Sequence, residues 1–164
     1  MLHVRLAGLS IDSLAEQPVL LFVAADEATE PPSRALPIWI GHPEATSILM
    51  ALQGIETPRP MTHDLLRDVI DALGYSVERV EITKLEEGTF FANLVLSSED
   101  LEVAIDARPS DSIALSVRVG CPIYVDEEVF NSAAFEITMA TNEEEEVQRF
   151  RDFLDTVEPS DFQS

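Results

Sequence analysis

The chain has 164 residues, 46% of them apolar, with six glycines and a formal charge of −21. That much apolar material builds a core for one domain with a short appendage and excludes a disordered chain. Lys84 is the only lysine and no basic run occurs, which excludes a scaffold that grips nucleic acid by neutralising many phosphates.

Leu2 to Ile11 alternates apolar and polar residues and reads as a strand. Pro18 to Ala24 is almost wholly apolar and predicts a more buried one. Asp26 to Ser33 is acidic with Pro31-Pro32 inside it, a surface loop, and Leu36 to Ile40 is a third strand. Gly41-His42-Pro43 then turns into a helix with Ala45, Ile48, Leu49 and Leu52 at helical spacing, ended by Gly54.

A stiff connector, Thr57-Pro58-Arg59-Pro60, leads to a second helix. Thr62 is its expected N-cap, and Met61 and Leu66 form a hydrophobic staple. Leu65, Leu66, Val69, Ile70 and Leu73 make one apolar stripe, and Gly74 closes the helix. Strands follow at Ser76 to Thr83, Thr89 to Leu96 and Leu101 to Ile105, with turns at Glu86-Glu87-Gly88 and Ser97 to Asp100. Pro109 opens a helix that ends near Gly120, and Pro122 to Val125 is a last short strand.

A constant offset of 66 aligns Pro43 with Pro109, Leu49 with Leu115 and Gly54 with Gly120. The shared order of elements predicts duplicated strand-strand-strand-helix units. The expected fold is α/β (α+β), a mixed or antiparallel barrel-like sheet with helices packed outside. Residues 1–135 form this domain and 136–164 an acidic helix and tail. In that tail Glu143 to Glu146 opens a helix, and Val147, Phe150, Leu154 and Val157 share a face. Residues 142–164 hold eight acids against two arginines, so most of the negative charge sits on the main domain.

Cys121 is the single cysteine, in an apolar stretch, and reads as a buried inert thiol in a reducing compartment. The first residues alternate rather than forming a basic and then apolar leader, and no uncharged apolar run reaches the roughly 18 residues of a membrane span. A cytoplasmic protein without membrane contact is the expectation.

The chemistry gathers at Asp106-Ala-Arg-Pro-Ser-Asp-Ser112, a strand-to-helix turn. It sets Asp106, Asp111, Arg108, Ser110 and Ser112 around one helix N-terminus, whose orphan N–H groups suit an anion such as a phosphate. Carboxylates beside it could hold a divalent cation, Mg²⁺ or Mn²⁺. Equally, Ser110 or Asp111 could simply cap the helix and Arg108 pair with an acid. His63 and Asp64 open the second helix, where they either complement the dipole or add an acid/base and a further carboxylate. Glu44 reads as another first-turn acid, His42 as a turn residue before proline, and Trp39 as core or a subunit interface. Glu143 to Glu146 lacks the ligand spacing of a calcium loop. No Walker loop, dinucleotide fingerprint, zincin motif or nucleophile elbow is present.

In this order, Leu36-Pro-Ile-Trp-Ile-Gly41 with Glu44-Ala45, Arg59-Pro60 with Thr62-His-Asp-Leu-Leu66, Asp106-Ala-Arg-Pro-Ser-Asp111 with Ile113-Ala-Leu115, and Pro122-Ile-Tyr-Val125 resemble the bifunctional nuclease domain family over roughly residues 1–135. The tail resembles the acidic helix that some bacterial members append. The resemblance implies a compact, often oligomeric α/β domain with DNase and RNase activity, and nucleic acid as a transient substrate. It hands over no catalytic set, since a family label is not a site.

A phosphodiester hydrolase built from these residues uses His63, Asp64 and Asp111 as catalytic groups and Arg59, Arg108, Ser110 and Ser112 to hold the substrate. Asp106 and Asp111 are its metal ligands. The alternative is a non-catalytic homo-oligomeric module that binds a small anion at the Arg108 turn.

Overall fold

The computed structural model describes residues 1–12, 15–26, 32–99 and 101–137. Strand β1 (Leu2–Asp12), β2 (Gln17–Ala24) and β3 (Arg34–Trp39) lead into α1 (His42–Leu52). After α2 (Thr62–Ala72) the pattern recurs as β4 (Ser76–Glu86), β5 (Thr89–Ser98), β6 (Leu101–Ala107) and α3 (Pro109–Val119). The chain closes with β7 (Ile123–Val125), α4 (Glu127–Ala133) and β8 (Phe135–Glu136). The expected helix from Glu143 onward lies outside the described residues.

Local chemistry accounts for the punctuation. Glu87 and Gly88 both take positive φ, 49° and 77°, the two-residue turn that matches strand twist and joins β4 to β5 as a hairpin. Proline stands in the first turn of both α1 and α3, where it costs no hydrogen bond. Gly120 ends α3 in the left-handed region at φ 75°, its N–H donating to the Ser116 carbonyl at 2.7 Å.

The strands form one sheet in the order β6-β5-β4-β7-β1-β2-β3-β8. Short β7 lies between the two repeats, parallel to β4 and antiparallel to β1. The sheet is therefore mixed, and the two repeats run in opposite senses on either side of it. It is not closed into a barrel: β6 and two-residue β8 stand at opposite ends. Helices α1 and α3 pack against each other and α3 lies on β4 and β5. Phe22, Leu36 and Ile38 of one repeat and Val80, Ile82 and Ala92 of the other share a single core with Ile113 and Leu115 of α3.

Three expectations change. Met61, not Thr62, is the cap residue of α2. Its N–H is taken by the Asp64 carboxylate at 3.0 Å, the bond that the acid of a capping box makes back to the cap residue. Met61 and Leu66 are exposed and make no buried staple. The α2 stripe faces outward as well: only Ile70 is buried, while Leu65, Leu66, Val69 and Leu73 are exposed. Periodicity reveals which residues share a face but not what covers that face. Trp39, for which two roles stood open, is fully buried and its Nε1–H donates to buried Asp12 at 3.3 Å. No helix of the described residues is long and apolar enough to cross a membrane.

Candidate functional site

The first turns of three helices converge. Glu44 comes from α1, His63 and Asp64 from α2, and Asp111 from α3, with Arg108 in the position before α3. Neither Gly41 nor Arg108, the cap positions of α1 and α3, closes its helix with a side-chain bond. The Arg108 side chain is thus spared for contacts between elements.

Arg108 donates from Nε to Asp111 Oδ2 at 2.8 Å and from Nη2 to Asp111 Oδ1 at 3.1 Å. The same Nη2 donates to Glu44 Oε1 at 2.9 Å. Asp111 Oδ1 also lies 3.1 Å from His63 Nε2. The other imidazole nitrogen, Nδ1, is 2.8 Å from Ser47 Oγ on α1. Ser47 Oγ in turn accepts from Arg118 Nη2 at 2.9 Å, and Arg118 Nε donates to Asp64 Oδ1 at 2.6 Å. Glu44, Arg108, Asp111, His63, Ser47, Arg118 and Asp64 are therefore one connected polar chain across three helices.

Electrostatics follow from the pairing. Burial pushes the Asp111 carboxyl up, but hydrogen bonds from Arg108 and His63 outweigh it and hold the group below the ordinary aspartate range. The Arg118 hydrogen bond does the same for Asp64, against a smaller opposing effect of burial. Asp111, followed by Glu44, raises the Arg108 guanidinium. Half of the Arg108 side chain is exposed (53%), whereas Arg118 is almost enclosed (6%). The first can reach a ligand, and the second is a fixed internal cation.

Not every expected residue joins the cluster. Ser110 and Ser112 are buried in the first turn of α3, and Ser112 Oγ has no hydrogen-bond partner among the described residues. Asp111 keeps 31% of its side chain exposed, whereas both serines lie on the buried side of α3. Arg59 is exposed in the connector with no ion pair among the described residues. Asp106 stands opposite Asn93 on β6, one residue before Ala107, which packs on the core. Side chains alternate along a strand, so Asp106 points to the other sheet face and away from Asp111. His42 turns aside as expected of a turn residue, its Nε2 lying 2.8 Å from the Glu16 carbonyl.

The donor set does not make a preformed cage for Mg²⁺ or Mn²⁺. Among the described residues no three His, Cys, Asp or Glu side chains gather to hold a metal. Both oxygens of Asp111 are already engaged by Arg108.

Two members of the chain were missed from sequence, Ser47 and Arg118. Ser47 sits between the apolar positions of α1, and Arg118 stands between Val117 and Val119. The one available signal was a cation in the last turn of α3, where it suits the helix dipole. Beside them an open groove of about 530 Å³ runs between α1, the 55–61 connector and α2. Ser47, Asp64 and Arg118 line it together with Met50, Ile55 and Met61.

A family model of the bifunctional nuclease domain matches residues 25–138. An uncharacterized protein of Mycobacterium tuberculosis is 45% identical over 169 residues, spanning 99% of this chain and 98% of that protein. Bifunctional nuclease 1 of Arabidopsis thaliana is 32% identical over 55% of this chain, and bifunctional nuclease 1 of Oryza sativa subsp. indica is 27% identical over 66% of it. The match spans 29% and 34% of those two plant proteins, about a third of their length.

Proposed function

Because this chain belongs to the bifunctional nuclease domain family, we propose that it hydrolyses phosphodiester bonds in DNA or RNA at the His63–Asp111–Arg108 cluster. The observation that carries this reading is the convergence of an imidazole from the start of α2 with a carboxylate and a half-exposed guanidinium from the start of α3. Asp111, a pure acceptor when ionised, keeps the proton of neutral His63 on Nε2 and makes Nδ1, 2.8 Å from Ser47 Oγ, the accepting nitrogen. His63 is thereby the base, and Arg108 holds a phosphate oxygen as charge develops on it. No step draws on a metal ion.

The test is cleavage of single- and double-stranded DNA and of RNA by purified protein, with Mg²⁺, with Mn²⁺ and with chelator. His63→Ala lowers the rate by about 100-fold or more, the usual contribution of a positioned acid/base, and Arg108→Ala raises KM. Wild-type rates in His63→Ala, or activity that separates from the protein on a sizing column, overturn the reading.

A second observation favours self-association. Strand β6 is exposed on both faces from Leu101 to Asp106 and forms one end of the sheet. Leu101, Val103 and Ile105 continue the apolar face of Leu94 and Leu96 on β5. Antiparallel pairing of two copies about Val103 sets Leu101 of one against Ile105 of the other. It also sets Glu102 against Ala104. A second copy of the chain is the occupant this edge fits.

A further inference from the structure

We infer that Ser47 is the nucleophile of this reaction, in a relay from Asp111 through His63 to the Ser47 hydroxyl. The inference rests on the reading of His63 as base and replaces an activated water by a side chain. With Nε2–H donated to Asp111, neutral His63 has only an acceptor at Nδ1, and Ser47 Oγ is 2.8 Å from it. The serine must then donate its proton to the imidazole. This is the division of labour of a serine–histidine–aspartate triad with the two ring nitrogens exchanged.

The surroundings of Ser47 fit the role. Its oxygen accepts from Arg118 Nη2 at 2.9 Å, and Asp64 and the Ala114 carbonyl fix that guanidinium from behind. A fixed buried cation beside a hydroxyl oxygen stabilises the alkoxide that forms as the proton leaves. Ser47 is also one of the residues that line the open groove.

The steps balance without a co-reactant other than water. Ser47 Oγ attacks phosphorus while its proton passes to His63 Nδ1, and the bond from phosphorus to the leaving sugar oxygen breaks. Water in the groove protonates that oxygen, and the resulting hydroxide attacks phosphorus from the side the leaving group vacated. Ser47 Oγ departs and recovers the proton from His63. The sum is one phosphodiester and one water giving an alcohol and a phosphate monoester.

The experiment treats the full chain with a fluorophosphonate, a phosphorus electrophile that loses fluoride, and follows intact mass and peptide mapping. One adduct on Ser47 is expected, formed about 100-fold more slowly in His63→Ala and absent in Ser47→Ala. No adduct on Ser47, or one whose rate His63→Ala leaves unchanged, overturns the proposal. Ser47→Ala that still cleaves DNA at the wild-type rate also overturns it, while leaving the nuclease reading intact. Labelled Ser47 in a protein that cleaves neither DNA nor RNA supports the nucleophile and sinks the nuclease reading instead. Because labelling is read on the wild-type protein, a variant that fails to fold does not decide the question.

Discussion

Arg118 and Asp64 are 54 residues apart in the chain and meet at 2.6 Å, where the last turn of α3 passes the first turn of α2. Every nitrogen of that guanidinium donates: Nε to Asp64, Nη1 to the Ala114 carbonyl, and Nη2 to the Ser47 hydroxyl and carbonyl. Arg118 therefore ties all three helices together. Arg118→Met is expected to lower unfolding free energy by about 2–3 kcal/mol, below the usual cost of removing one partner of a fully buried ion pair because Asp64 stays partly exposed. Exposed Arg67, paired with neighbouring Asp68, is the control, and Arg67→Ala stays within about 0.5 kcal/mol. Urea midpoints measure both, and equal shifts would count against the buried tie.

Acid should act through the same cluster. Asp64 and Asp111 are both held below the ordinary aspartate value in the folded protein. A depressed folded value means the unfolded chain binds protons first as pH falls. The stability these carboxylates contribute is complete above the unfolded value of about 3.9 and is lost as pH drops through the lower folded values. Unfolding free energy measured between pH 6 and pH 2 should fall below about pH 4. In Asp111→Asn that fall should be shallower, and an unchanged slope would remove Asp111 from the account.

Much of the fold was legible because its punctuation is chemical. Pro43 and Pro109, Gly54 and Gly120, and the Glu87-Gly88 turn all lie where the backbone needs them, and the duplication is read from the shared order of elements they punctuate. The cluster was legible only in part. His63, Asp64, Arg108 and Asp111 stand at helix starts, positions that sequence marks. Ser47 and Arg118 sit in helix bodies among apolar residues, and their partners are set by how α1, α2 and α3 pack. Ser110 and Ser112 carry the right chemistry but face the wrong way, because rotation about the α3 axis follows from core packing of Ile113 and Leu115. The outward α2 stripe fails for the same reason: amphipathicity is local and its cover is not.

Gly41 holds the position of Glu44. Its φ of −71° suits any residue, so conformational freedom is not the issue. A Cβ there would overlap Glu44 Oε2, the carboxylate that reaches Arg108. Gly41→Ala should push Glu44 aside and leave Arg108 with Asp111 alone. Phosphate then competes with one carboxylate fewer, and KM for a polynucleotide should fall about twofold to fivefold, the worth of an exposed ion pair. Glu44→Gln should do the same. A rise in KM in both variants would mean that Glu44 helps to bind substrate rather than to mask Arg108.

Net charge sets an unusual salt response. A chain of formal charge −21 repels a polyanion at long range. Salt screens that repulsion, with a Debye length shrinking from about 30 Å at 0.01 M to about 8 Å at 0.15 M. A basic nuclease loses affinity as salt rises, because bound counterions are no longer released to advantage. Here kcat/KM should instead climb over the same range before levelling off. A steady decline would point to a cationic surface that the described residues do not contain.

Self-association can be tested at the centre of β6. Val103 pairs with Leu96 on β5, and its other side is the free edge of the sheet among the described residues. Val103→Lys places a charge in the middle of the proposed pairing, opposite its own copy, and a lysine on a sheet edge is a common block to strand addition. Val103 lies on the exposed strand β6, so the fold should survive with a melting midpoint close to wild type. Light scattering should find two copies for the wild type and one for the variant. Cleavage by the monomeric variant is expected to persist, because Ser47, His63, Arg108 and Asp111 all belong to one chain. A wild-type protein that is already monomeric at micromolar concentration would rule out the β6 pairing, and a variant that remains paired would move the interface elsewhere, with the exposed α2 stripe next in line.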